Sequence, residues 1–69
     1  MKIKVNGKEK FIDLKSEKAL LSNTLKFLGY KPKTIVVEVN DLIINSNKWD
    51  NKIIKDGDRL EIVSIVGGG

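Results

Sequence analysis

Only one stretch of the chain carries its apolar residues at helical spacing, and that limits the fold more than any other feature. Leu21, Leu25 and Leu28 recur at i, i+4 and i+7, flanked by Leu20, Thr24 and Phe27, which describes a single amphipathic stripe. Ser16 is a suitable N-cap, and Glu17 suits the positive end of a helix dipole. Gly29 stands where a helix turns left-handed to stop, and Pro32 prevents it from resuming. The spacing predicts one helix over about Glu17 to Leu28. A lone stripe of this kind needs a sheet to cover.

The remaining residues supply that sheet. Lys2 to Asn6 alternates, with Ile3 and Val5 on one face, and Asn6-Gly7 is the strongest short-range signal for a type I′ hairpin. Lys8 to Leu14 reads as the returning strand, with Phe11, Ile12 and Leu14 as its apolar residues. Thr34 to Val39 is nearly all apolar and β-branched, as expected of a buried central strand. Asn40-Asp41 offers a turn into a short strand, Leu42-Ile43-Ile44. Asn45 to Asn51 is polar apart from Trp49 and reads as an irregular or single-turn segment. Asp56-Gly57-Asp58 marks another turn, and Arg59 to Val66 reads as the last strand. Hairpin, helix, strand, short strand, irregular turn and last strand make an α+β chain in the order of the β-grasp (ubiquitin-like) fold. The expected organisation is one domain over residues 1–66 and a flexible glycine tail over 67–69.

Composition narrows the chemistry. At 69 residues the chain is near the lower limit for a core without staples, and its lack of Cys and His excludes disulfides and Cys/His metal sites. No apolar run approaches the roughly 20 residues that cross a bilayer, and the N-terminus carries no signal-peptide pattern. The expectation is a protein of the cytoplasm or an organelle stroma, without membrane contact and monomeric when free. The net charge of +4 comes from basic residues scattered between Lys2 and Arg59, with a single Arg and no run of three. With only Phe11, Phe27, Tyr30 and Trp49 for stacking, this reads as a solvated lysine surface rather than a nucleic-acid interface. The acids show no catalytic spacing; Asp56 and Asp58 flank Gly57 as turn formers, and no glycine-rich loop precedes a helix. No catalytic residue, metal site or bound cofactor is expected, and the domain is read as a non-enzyme.

The tail Gly67-Gly68-Gly69 is the unusual feature. Without Cβ atoms it can thread a narrow channel, and three extended residues reach roughly 10 Å. The terminal carboxylate is ionised at neutral pH and a poor electrophile, so chemistry there needs activation, for example as an acyl-adenylate. A frayed end or an artificially added tail is the competing reading. The last strand bears on this choice. If Leu60 and Ile62 face the core, then Glu61, Val63 and Ile65 face the other way. That makes Val63, Ile65 and Val66 a candidate partner-docking surface beside the tail, unless a neighbouring loop covers it.

The second half of the chain, Val39-Asn40, Ile43, Trp49, Ile54-Lys55-Asp56-Gly57-Asp58 and Ile65-Val66-Gly67-Gly68-Gly69, resembles the ThiS-type sulfur carriers of thiamine biosynthesis, within the ThiS/MoaD group of ubiquitin-like proteins. The resemblance implies that an E1-like adenylyltransferase (ThiF-like) adenylylates the carboxylate of Gly69 with ATP. Sulfur from a cysteine desulfurase relay then displaces AMP and leaves a thiocarboxylate. A thiazole synthase (ThiG-like) takes that sulfur into the thiazole ring. Gly67 and Gly68 are then the part of the tail that enters partner active sites. Gly67 stands where many members of the family have another small residue. Alternatives are a MoaD-like carrier for molybdopterin, a protein modifier joined through Gly69, and a basic β-grasp RNA-binding module such as a TGS domain. The MoaD-like tail usually carries prolines, which Ser64-Ile65-Val66 lacks.

Overall fold

The computed structural model describes residues 1–15 and 17–65. The expected N-cap Ser16 and the tail segment Val66 to Gly69 lie outside the described residues. The strands are β1 (Lys2–Val5), β2 (Lys8–Phe11), β3 (Ile35–Val39), β4 (Leu42–Ile44) and β5 (Arg59–Ser64), with helix α1 (Leu21–Leu28) between β2 and β3. They form one mixed sheet in the order β2-β1-β5-β3-β4. All neighbours are antiparallel except β1 and β5, which run parallel.

Both hairpins turn through left-handed residues, Asn6-Gly7 with φ of 52° and 82° and Asn40-Asp41 with φ of 50° and 73°. Asn and Asp tolerate this region because their short side chains bond locally. Two positive φ values match the right-handed twist of the flanking strands.

Polar side chains extend the short parallel pairing. Its register covers only Lys4↔Arg59 and Val5↔Leu60. At one end, the Asn6 backbone N–H donates to Leu60 O at 2.8 Å. The Asn6 amide then accepts from Ile62 N at 2.7 Å and donates to Ile62 O at 3.2 Å, standing in for a peptide group one step further along. At the other end, Lys2 N donates to Asp56 Oδ1 at 2.6 Å and Gly57 N donates to Lys2 O at 2.7 Å. Asn40 ties the second hairpin to the same turn, donating to Asp58 Oδ1 and accepting from Arg59 N, each at 3.0 Å. Asp58 Oδ2 also accepts from Lys55 N at 2.8 Å. The Asp-Gly-Asp motif is the turn expected of it and, beyond that reading, a clamp joining three segments.

The core lies between the inner sheet face (Ile3, Val5, Leu60, Ile62, Ile35, Val37 and Val39) and Leu21 and Leu25 of α1, with Ile12, Trp49 and Ile54 closing its sides. Helix α1 ends as expected. Gly29 is left-handed, and the Tyr30 and Gly29 N–H groups bond to Leu25 O and Lys26 O.

Four expectations need correction. The helix starts at Leu21 rather than Glu17. Residues before it are held in extended pairing instead: Leu20 bridges Ile53, and Ile54 N donates to Ala19 O at 2.7 Å. Leu21 N and Ser22 N are then satisfied by Lys52 O and Trp49 O, which replace a side-chain cap. Second, β2 stops at Phe11, not Leu14; Phe11 lies opposite Lys2 on the open face at 77% exposure, while Ile12 turns inward. Third, β3 is covered on one face only, leaving Val36 exposed, because one helix covers one side of a sheet, and the middle strand is β5. Fourth, β5 closes at Ser64, and the next residue, Ile65, bonds through its N–H to Thr34 O at 2.7 Å.

The stretch read as irregular or a single turn holds one 3-10 turn, Ser46–Lys48, and Trp49, which follows it, is a core residue. It is 5% exposed and donates its indole N–H to Ile44 O at 2.9 Å. Trp49→Ala is expected to cost about 3–5 kcal/mol, comparable with the whole stability of so small a domain, and Trp49→Phe about 1–3 kcal/mol through the unpaired carbonyl. Urea denaturation distinguishes them. Asn6→Ala is expected to cost about 2–3 kcal/mol, from two net hydrogen bonds and the left-handed backbone. Asn6→Gly should recover only the backbone part in the same assay.

Candidate functional site

Because β5 is the middle strand, its alternation decides what the uncovered side of the sheet presents. Leu60 and Ile62 point into the core, as expected, and Arg59, Glu61 and Val63 point outward. Val63 is 59% exposed and Ile65 is 55% exposed, so among the described residues no loop covers them. Val36 is the register partner of Val63, and Ile43 of β4 lies across from Glu38, one row further along. The four apolar residues Val36, Ile43, Val63 and Ile65 are all exposed, at the end of the sheet where β5 runs out toward the tail. A shallow depression of about 360 Å³, lined in part by Val36, Ile43 and Ile65, lies there.

The charges are ordered behind this patch. Glu38 and Glu61 are direct partners across β3 and β5. Beyond them lies a row with Arg59 and Lys4 in register and Glu9 opposite Lys4. Arg59 pairs with Asp41 at 3.1 Å and Lys2 with Glu9 at 3.8 Å. Among the described residues neither Glu38 nor Glu61 joins a salt bridge. From the β5 end the open face thus runs from apolar through acidic to mixed basic, and the exposed Phe11 lies beyond, opposite Lys2.

Of the residues singled out in the sequence, Val63 and Ile65 share one surface, and Val66, Gly67, Gly68 and Gly69 lie outside the described residues. Val36, Ile43, Glu38 and Glu61 complete that surface and were not singled out as part of it. The signal that finds Ile43 is the two-residue Asn40-Asp41 turn, which fixes the β3–β4 register. Asp56 and Asp58 accept backbone N–H groups at the clamp rather than facing each other across a site. Among the described residues no group of three or more His, Cys, Asp or Glu is placed to hold a metal ion. Among the described residues no helix is long and apolar enough to cross a membrane.

The arrangement matches known proteins along nearly its whole length. The ThiS family model matches residues 3–69. The crystal structure of a thiamine biosynthesis protein (ThiS) from Geobacter metallireducens superposes with a TM-score of 0.81 at 30% identity, covering 100% of both chains. An uncharacterized protein, ycf40, of Trieres chinensis is 32% identical over 65 residues, which is 94% of this chain and 85% of that protein. A thiazole synthase of Paramagnetospirillum magneticum is 36% identical over 70 residues, 100% of this chain but 20% of that longer protein. With this sheet order, one covering helix and a family match that runs through the glycines, the chain belongs to the ThiS family of ubiquitin-like, β-grasp sulfur carriers.

Proposed function

We propose that the chain carries sulfur on the carboxylate of Gly69 and delivers it for building the thiazole ring of thiamine. The observation that carries this reading is the family match extending to Gly69, in a chain that has no cysteine and therefore no side-chain thiol to hold transferable sulfur. An E1-like adenylyltransferase uses ATP to adenylylate the carboxylate, releasing pyrophosphate. The persulfide of a cysteine desulfurase relay attacks the acyl-adenylate and expels AMP. A thiol then reduces the resulting acyl disulfide, forming a disulfide itself and leaving the thiocarboxylate. The domain contributes no catalytic group. It presents Gly67 and Gly68, slender enough to enter a partner's active site, and docks through Val63, Ile65 and Val66.

A thiazole synthase-like protein is the expected acceptor. A segment similar to this whole chain forms part of the thiazole synthase of P. magneticum, which supports the physical association of the two activities. ATP is consumed by the activating partner, and no cofactor is assigned to the carrier itself.

Intact-mass analysis tests the reading. Incubation with ATP, the E1-like enzyme and a sulfur donor should replace one oxygen by sulfur, and deletion of Gly69 should abolish the change. An unchanged mass with an active enzyme counts against the carrier role. Transfer to a thiazole synthase and not to a molybdopterin synthase subunit separates the two carrier pathways. Val63→Asp and Ile65→Asp should raise the KM of activation about tenfold or more while leaving the thermal midpoint within a few degrees, since both side chains are exposed.

A further inference from the structure

We propose that Asn6-Gly7 is a deamidation site kept unreactive by the β1–β5 junction, so that opening of the junction is recorded as an irreversible change at position 6.

Of the six asparagines only Asn6 precedes a glycine; the others precede Thr24, Asp41, Ser46, Lys48 and Lys52. Glycine leaves its own backbone nitrogen the least hindered, and a Cβ at Gly7 would meet nothing within 4 Å. In the reaction the Gly7 nitrogen attacks Asn6 Cγ and a new C–N bond forms. Nδ2 leaves as ammonia, taking the proton that the Gly7 nitrogen gives up, and a cyclic imide remains. Water opens the imide at either carbonyl, giving aspartate or an isoaspartate whose main chain runs through Cγ. Asn6 is exposed, so water reaches it. The change needs no oxidant, reductant or enzyme.

The fold blocks the first step. Ring closure requires the side chain to swing Cγ onto the Gly7 nitrogen, and both of its polar atoms are held by β5 instead. Oδ1 accepts from Ile62 N at 2.7 Å, and Nδ2 donates to Ile62 O at 3.2 Å. The hairpin also fixes φ of Asn6 and Gly7 at 52° and 82°. The lock lasts only while β5 lies beside β1. That pairing has two residue pairs, against five between β3 and β5, so it is the weaker seam and the one where local opening is easier.

The product cannot restore the lock. Aspartate still accepts from Ile62 N, but its second oxygen has no hydrogen to give Ile62 O. Isoaspartate lengthens the main chain inside the two-residue turn that sets the register. Either way the strand leading to Ile65 and the tail is held less firmly.

The test is peptide mapping by mass spectrometry of the full chain aged at mildly alkaline pH, without urea, in urea below the unfolding transition and above it. In the unfolded chain Asn6 should deamidate ahead of the other asparagines. Without urea it should react at least about tenfold more slowly. Asp56→Ala removes the bond to Lys2 N at the other end of the junction and should speed the folded-state reaction about fivefold or more. Urea below the transition should also speed it, which keeps the test open if that variant does not fold. Asn6→Asp should lower the thermal midpoint by about 4–8 °C. Equal rates in the folded and unfolded chain overturn the proposal, as does earlier reaction at another asparagine in urea. So does a folded-state rate that neither Asp56→Ala nor low urea changes. An unchanged midpoint for Asn6→Asp overturns it too, since the junction then closes again over the product.

Discussion

The parallel pairing of β1 with β5 is the contact on which the rest of the structure depends. Each hairpin is local in sequence, and an isolated two-stranded hairpin is marginal in water. Only β5, lying between β1 and β3, joins the two halves into a sheet wide enough for α1 to cover. Its register with β1 spans two residue pairs, so side chains do part of the work of the backbone. The Asn6 amide continues the ladder toward Ile62, and Asp56 and Asp58 hold the entry to β5 against Lys2 and Asn40. Residues that read as turn formers are thus the long-range fasteners of a small core.

This explains which parts were legible in advance. The hairpin turns, the end of α1 at Gly29 and the alternation of β5 are written in local chemistry, in left-handed Asn and Gly positions and period-two side chains, and each was found. The start of α1 was not. Ser16 and Glu17 are good helix openers locally, but Ala19 and Leu20 pair with Ile53 and Ile54, more than 30 residues away, and that pairing prevails. Trp49 escaped for the same reason. Its polar neighbours describe a surface turn, whereas its indole reaches Ile44 and its carbonyl caps the helix.

The candidate site shows the same division. Val63 and Ile65 were found because alternation along a single strand is a one-dimensional property. Val36, Ile43 and the facing glutamates belong to the surface only through register across three strands. Nothing in a linear reading places Glu38 beside Glu61. The glycine tail was the most conspicuous element of the sequence, and the fold contributes the surface next to it: an apolar end, an acidic row and a basic row in sequence across one open face.

The hydrogen bond from Ile65 to Thr34 has a metric consequence. It makes Ile65 a fixed origin on the rigid sheet, from which four residues lead to the carboxylate of Gly69. Fully extended, they span at most about 14 Å. The carrier is thus a ruler with its zero mark set by the sheet. On the proposed docking, an enzyme that seats the open face and acts on the Gly69 carboxylate has to place its reacting centre within that length of the docked edge.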